Sequence, residues 1–339
     1  MNNRWPDAPA PARSVLGTSS SDRKDWIHPG IMDNDTRMEN DVGLPQEPEG
    51  FEFQLGQLTK EFQNNLSKAI GYYSVPLVVD LGKEYKFVGS GTLISFGKND
   101  GILTAEHVVN YAADEKYRLN TKFGGSQKLR ISVAEFPHDI SIDVSYLEIE
   151  TSGARKNNYY GPDLAFIKIP PSPLLRELKA RKSFVNIGVR VEERFKNASV
   201  NAGCSVVTGF PEIDRVHRME QSARLGFIST EQLKGYGFIT GQVNQEEVDG
   251  YDYLDFGVSY EAGNEAPLRF NGVSGGGVWR VPVIRKKGEP PGTEYFDKFY
   301  LAGVVFFQEE IVNNQCRLRA HGPKSLYKNF FLQLEEQFR

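Results

Sequence analysis

The chain has 339 residues, 39% of them hydrophobic and 12% aromatic, enough to core one large domain or two smaller ones. With 40 Lys and Arg against 44 Asp and Glu, its formal net charge is −4, which excludes the basic surface of a nucleic-acid-binding protein. Two cysteines, Cys204 and Cys316, are too few for a disulfide framework and point to reduced thiols in a cytoplasmic protein. No window approaches a membrane span, and the N-terminal 30 residues contain no apolar segment of signal-peptide length.

In chain order, residues 1–50 are rich in Pro, Ser, Asn, Asp and Gly and predict a disordered arm. From Phe51 a helical period appears: Leu55, Leu58, Phe62, Leu66 and Ile70 recur at spacings of three and four, predicting a helix over 51–71. The texture then changes to short β-branched and aromatic runs: SVPLVVDLG, KFVGSGTLISF, KLRISVAEF, ISIDVSYLEIE and DLAFIKIP. ISIDVSYLEIE alternates with period two and reads as one strand. PSPLLRELKARKS, residues 171–183, reads as a connector with a short helix.

Strand-like runs resume with SVVTGFP, RLGFIST, YGFITGQV, YLDFGVSY, GGVWRVPVI, KFYLAGVVFF and CRLRAHG. The last segment, Ser325–Phe338, is an amphipathic helix expected to pack on the second half of the chain. The fold expected is all-β: two six-stranded antiparallel β-barrels over 72–175 and 176–323, the latter including the linker. An N-terminal helix (51–71) and a C-terminal helix (324–339) flank them.

Three windows carry chemistry. TAEH ends in His107, PDLAFIKI begins a strand just after Asp163, and NGVSGGGVW surrounds Ser274 with glycines. A hydroxyl needs a base within hydrogen-bond reach, and the base needs an orienting acid. Asp114, Asp139 and Asp143 also lie between His107 and Ser274, but Asp163, leading into an apolar strand, best suits a buried acid. GVSGG also fits the nucleophile elbow of an α/β-hydrolase esterase, with Asp297 and His321 following in order. That elbow requires a helix after the serine, and GGGVWRVPVI reads as a strand.

The windows TAEH (104–107), DLA (163–165) and GVSGG (272–276), in this order, resemble the trypsin-like (chymotrypsin-fold) serine peptidases, in particular their disulfide-free bacterial branch. The resemblance implies a serine endopeptidase without cofactor or metal, acting on a peptide or protein substrate. His107 is then the general base, Asp163 its orienter and Ser274 the nucleophile, with the N–H groups of Gly272 and Ser274 as oxyanion hole. GVVFF, 303–307, resembles the strand that lines the primary specificity pocket, so Val305, Phe306 and Phe307, with Leu268, are the expected substrate-binding residues.

The chain also departs from that family. Val273 stands where secreted members carry an acid that pairs with a freed N-terminus, so no such zymogen switch is expected. Any regulatory partner is expected to act through the N-terminal arm. Glu106 replaces a small residue and either tunes His107 or faces solvent. Phe306 takes the place of a serine that supports the acid, and Gln308 that of a glycine that keeps the pocket open. These departures leave a catalytically inactive, partner-binding scaffold as the alternative reading.

Two further features have simpler readings. The remaining histidines, His28, His138, His217 and His321, have no ligand spacing, so no metal site is expected. Residues 246–265 hold seven acids and no Lys or Arg. They read as a solvated loop or as a rim of the cleft that favours basic substrates.

Overall fold

The computed structural model describes residues 58–80, 85–110, 128–131, 140–153, 159–199, 203–211, 215–222, 226–233, 236–240, 243–259, 270, 272–286 and 288–339; at 80, 85, 129–131, 215–240 and 259 it describes backbone only. The expected disordered arm, 1–50, lies outside the described residues. All that follows concerns the unit 52–339.

Helix α1 (Lys60–Gly71) begins where Thr59 accepts a hydrogen bond from the Phe62 N–H at 3.1 Å. Its apolar stripe, Phe62, Leu66 and Ile70, is buried, with Phe62 edge-on to Phe296.

The protein is mostly β, arranged in two large antiparallel sheets. The first comprises β1 (Ser74–Asp80), β2 (Tyr85–Phe96), β3 (Asn99–Thr104), β4 (Lys128–Ile131), β5 (Ile140–Asp143), β6 (Glu148–Thr151) and β7 (Ala165–Lys168) in the order β5-β4-β1-β2-β3-β7-β6. A two-residue strand, β8 (Val185–Asn186), lies parallel to β2. Val75, Leu77 and Val79 alternate into the core along β1. Pro76, which has no N–H to give, sits where β1 pairs with β2 but not yet with β4.

The run 140–151 is not one strand. Asp143 accepts hydrogen bonds from both the N–H and the hydroxyl of Ser145, at 2.9 and 2.6 Å, and a 3₁₀ turn (Val144–Tyr146) follows. Local side-chain bonding competes with the ladder here and splits the run. Its two halves pair at opposite edges of the sheet, β5 with β4 and β6 with β7.

Two helices connect the sheets. In α3 (Pro173–Arg181), Ser172 caps the Leu175 N–H and Pro173 takes the first turn. Next comes α4 (Val191–Ser199). The second sheet comprises β9 (Cys204–Gly209), β12 (Tyr236–Thr240), β13 (Asn244–Val248), β14 (Tyr251–Ser259), β15 (Gly277–Val281), β16 (Tyr300–Gln308) and β17 (Gln315–His321) in the order β12-β9-β15-β16-β17-β14-β13. Between β9 and β12 the chain makes a separate hairpin of β10 (Arg215–Ser222) and β11 (Gly226–Leu233). β13 and β14 turn through Asp249 and Gly250, both at positive φ, as a two-residue hairpin demands.

The sheets thus hold eight and seven strands instead of six each. The surplus comes from broken runs and from the short β8, and among the described residues each sheet is an open path.

The C-terminal segment also differs from the expectation. A π-helical stretch (Lys324–Phe330) runs into α5 (Phe331–Gln337). It packs on both sheets. The Tyr327 hydroxyl donates to Leu301 O at 2.9 Å in the second, whereas Phe331 and Phe338 meet Phe96 and Phe166 of the first.

Candidate active site

His107 lies on a single helical turn, α2 (Glu106–Val109), directly after β3. Asp163 precedes β7, the neighbour of β3, so the pairing of these strands brings the two residues together. The Asp163 carboxylate is 1% exposed and bonds His107 twice: Oδ2 lies 2.8 Å from Nδ1, and Oδ1 accepts the His107 backbone N–H at 2.9 Å. A carboxylate on Nδ1 keeps the proton there and leaves Nε2 as the acceptor. The imidazole is partly open, its side chain 28% exposed. Of the other acids, Asp143 is spent on the 3₁₀ turn, and Asp114 and Asp139 lie outside the described residues.

Ser274 sits in the turn that enters β15, on the other sheet. Gly272 and Gly275 have φ of +92° and +88°, which side chains oppose. Space excludes side chains as well. A Cβ on Gly272 would lie 2.2 Å from the Phe87 ring, and one on Gly275 would lie 2.0 Å from both Ser90 O and Thr104 Oγ1. The loop is pressed against the first sheet, and the glycines permit that approach.

Within the loop, the Val273 N–H donates to Phe270 O, the Gly275 N–H to Val305 O and the Gly276 N–H to Val273 O. The N–H groups of Gly272 and Ser274 donate to no acceptor among the described residues. Among the described residues, two donors are therefore unspent here, the serine's own N–H and that of the residue two before it.

The sheets meet beside these residues. A Cβ on Gly89 would lie 2.8 Å from a methyl of Val108 and 2.9 Å from Ser274 O. The residue after His107 and the backbone of Ser274 are thus both in contact with a single position of β2.

The substrate-facing candidates fare differently. Leu268 lies outside the described residues. Val305 is buried, and its N–H and C=O are both spent on the serine loop, at 2.9 and 2.7 Å. Phe306 is buried with its ring stacked on His321, centroids 4.6 Å apart. Phe307 is half-buried against Tyr159. The Gln308 carboxamide carbonyl accepts the Phe270 N–H at 2.8 Å, so this side chain spans from β16 to the serine loop. Glu106 does not face solvent: it is buried and accepts from Asn110 Nδ2 at 3.0 Å.

The described part of the acidic run, 246–259, belongs to the β13–β14 hairpin, and several of its acids have internal partners. Glu246 pairs with Arg319, Asp255 with Arg317 and Arg319, and Glu247 with Lys324; Asp252 accepts the N–H groups of Lys324 and Ser325. These acids serve the second sheet and the start of the C-terminal helix, and are not a free rim.

Tyr253, unremarked in the sequence, supports the acid. From the second sheet its hydroxyl accepts the Gly161 N–H at 2.9 Å, two residues before Asp163. Burial raises the Tyr253 phenol above its usual range, so it stays protonated at working pH. Its ring lies against Arg319, Phe306 and His321. Nothing short-range in the sequence signals this role.

Among the described residues, no three His, Cys, Asp or Glu side chains gather to hold a metal ion, and no helix is long and apolar enough to cross a membrane. Cys204 and Cys316 are buried and form no disulfide. No protein-family model matches the chain, and no curated protein matches it.

Proposed function

We propose that the protein is a serine endopeptidase of chymotrypsin-like architecture that hydrolyses peptide bonds through an acyl-enzyme. The observation that carries this reading is the Asp163 carboxylate, buried and bonded to both the ring and the backbone of His107. In the reaction, Ser274 Oγ attacks the scissile carbonyl and gives its proton to His107 Nε2. Asp163 stabilises the imidazolium, and the N–H groups of Gly272 and Ser274 receive the oxyanion. The imidazolium then protonates the leaving amine. Water, deprotonated by the same imidazole, releases the acyl group and restores Ser274.

The strand order supports the two-barrel reading. In each sheet the two edge strands are consecutive in the chain. A flat path of seven strands holds its edges about 29 Å apart at the usual spacing. The links between β5 and β6 and between β12 and β13 span at most about 18 and 14 Å, so both sheets must curl. With 140–151 counted as one broken strand, β12 with β13 as another, and the two-residue β8 set aside, each sheet has six strands. Both halves then follow the same cyclic order: first, second, third, sixth, fifth, fourth. The α/β-hydrolase reading loses its footing, because the residues after Ser274 form strand β15 and not a helix. We further propose a reducing, cytoplasmic setting, in keeping with two buried cysteines, Cys204 and Cys316, that form no disulfide.

The test is a fluorophosphonate probe applied to the wild type, Ser274→Ala and His107→Ala. Labelling of the wild type that vanishes in both variants is expected. A wild type that stays unlabelled, with and without residues 1–50, would refute the peptidase reading and leave a binding scaffold.

A further inference from the structure

Ser90 is fully buried on β2, in the sheet that carries the base and the acid. Four hydrogen bonds meet on it. Its N–H donates to Ser274 O at 2.8 Å, and its C=O accepts from Thr104 Oγ1 at 2.7 Å. Any residue at this position would make those two. The hydroxyl adds two more: Oγ donates to Gly272 O at 2.6 Å and accepts the Phe210 N–H at 2.9 Å. The donor and acceptor capacity of one hydroxyl thus goes to the serine loop and to the end of β9.

We propose that Ser90 is a positioning residue whose hydroxyl holds the Gly272–Val273 peptide so that the N–H groups on either side of it converge on one oxyanion. This rests on the peptidase reading above. The peptide in question lies between the two unspent donors, the N–H of Gly272 and that of Ser274. Its rotation would swing one donor relative to the other. Gly272 lacks the Cβ that would bar such a rotation, and the nearby Phe87 ring forbids adding one. The orientation must therefore be fixed from outside. Ser90 Oγ fixes the carbonyl end, and the Val273 N–H bond to Phe270 O, at 2.9 Å, fixes the other. Because the clamp comes from the sheet of His107, it also ties the oxyanion site to the base.

The test compares full-length wild type, Ser90→Ala and Ser90→Cys, each confirmed folded by its unfolding transition. The readouts are the fluorophosphonate labelling rate and the separate kcat and KM of a peptide substrate that the wild type cleaves. Oxyanion contacts act in the transition state, so kcat should fall by about tenfold to a hundredfold with KM within about twofold. The labelling rate should fall by the same factor. The cysteine variant fills the site with a somewhat larger atom but donates weakly, so it should follow the alanine variant. If Ser90→Ala does not fold, Ser90→Cys decides. A folded variant with wild-type kcat, or with a loss confined to KM, would overturn the clamp and leave the triad standing. An unlabelled wild type would instead bring down the peptidase reading, and this inference with it.

Discussion

Asp163→Asn separates the acid's electrostatic role from its structural one. The carboxylate bonds His107 twice, at the backbone N–H at 2.9 Å and at Nδ1 at 2.8 Å. Asparagine can keep both contacts: its carbonyl takes the backbone N–H and its NH₂ faces the ring. The fold is therefore largely preserved. The NH₂, however, can only donate. It forces Nδ1 to become the acceptor and moves the ring proton to Nε2, toward the serine, so the base is presented in the wrong tautomer. The expected loss is about 10⁴-fold in kcat, or roughly 5 kcal/mol of transition-state stabilisation. Asp163→Ala empties both contacts at a buried site. It should match that loss and also cost about 2 kcal/mol of folding stability. Steady-state kinetics on a cleaved peptide, with denaturant unfolding of each variant, provides the assay. A folded Asp163→Asn variant within tenfold of wild-type kcat would refute the assignment of Asp163 as the orienting acid.

Tyr253→Phe removes only the hydroxyl that accepts the Gly161 N–H. It should cost about 1 kcal/mol of stability, with a several-fold fall in kcat; unchanged stability and kcat would show that the loop before Asp163 holds itself. In Gly275→Ala, the new Cβ would meet Ser90 O and Thr104 Oγ1 at 2.0 Å with φ at +88°. A loss of at least about 3 kcal/mol is expected in urea unfolding, and a wild-type midpoint would contradict the close approach of the two sheets. Burial pushes the Cys204 thiol up to about 12, so at pH 8 only about one molecule in 10⁴ carries the thiolate there. Native protein should leave Cys204 unalkylated by iodoacetamide, whereas guanidinium should expose it; mass spectrometry of the digests reads both, and rapid native alkylation at Cys204 would refute its burial.

The parts of this protein that were legible in the sequence depend on neighbours along the chain. The stripe Phe62, Leu66, Ile70 follows from the helical period, and Val75, Leu77, Val79 from the strand period. His107 and Asp163 stand out because each adjoins a strand-like run. The break at Asp143 was hidden because a period of two records which residues prefer strand, not where a side chain captures the next N–H. Nothing within the strand-like run KFVGSGTLISF marks Ser90: the partners of its hydroxyl lie 182 and 120 residues away. Tyr253 reaches Gly161 across 92 residues. The ion pairs of the acidic run's described part do not show in the sequence because the counter-charges, Arg317, Arg319 and Lys324, come after Ser274.

The site is divided between two sheets, and that division sets its weak point. The proposed base and acid stand just after β3 and just before β7, whereas Ser274 stands on the loop before β15. A misplacement of the order of 1 Å between catalytic groups costs about a hundredfold in rate. The seam between the sheets must therefore be held more tightly than folding alone requires. Polar bonds across it do this: Ser90 to Gly272 and Ser274, Ser74 Oγ to Thr208 Oγ1 at 3.0 Å, and Tyr253 to Gly161. The C-terminal helix adds an apolar strap, with Phe331 and Phe338 on Phe96 and Phe166 of the first sheet, while the Tyr327 hydroxyl bonds Leu301 O of the second. Buried hydrogen bonds suit the first task because they are directional and specify a register. Aromatic packing suits the second because it is strong but tolerant of small shifts. In this arrangement polar contacts lie beside Ser274 and before Asp163, and the apolar strap lies farther along the chain, as expected if alignment and cohesion are separate duties.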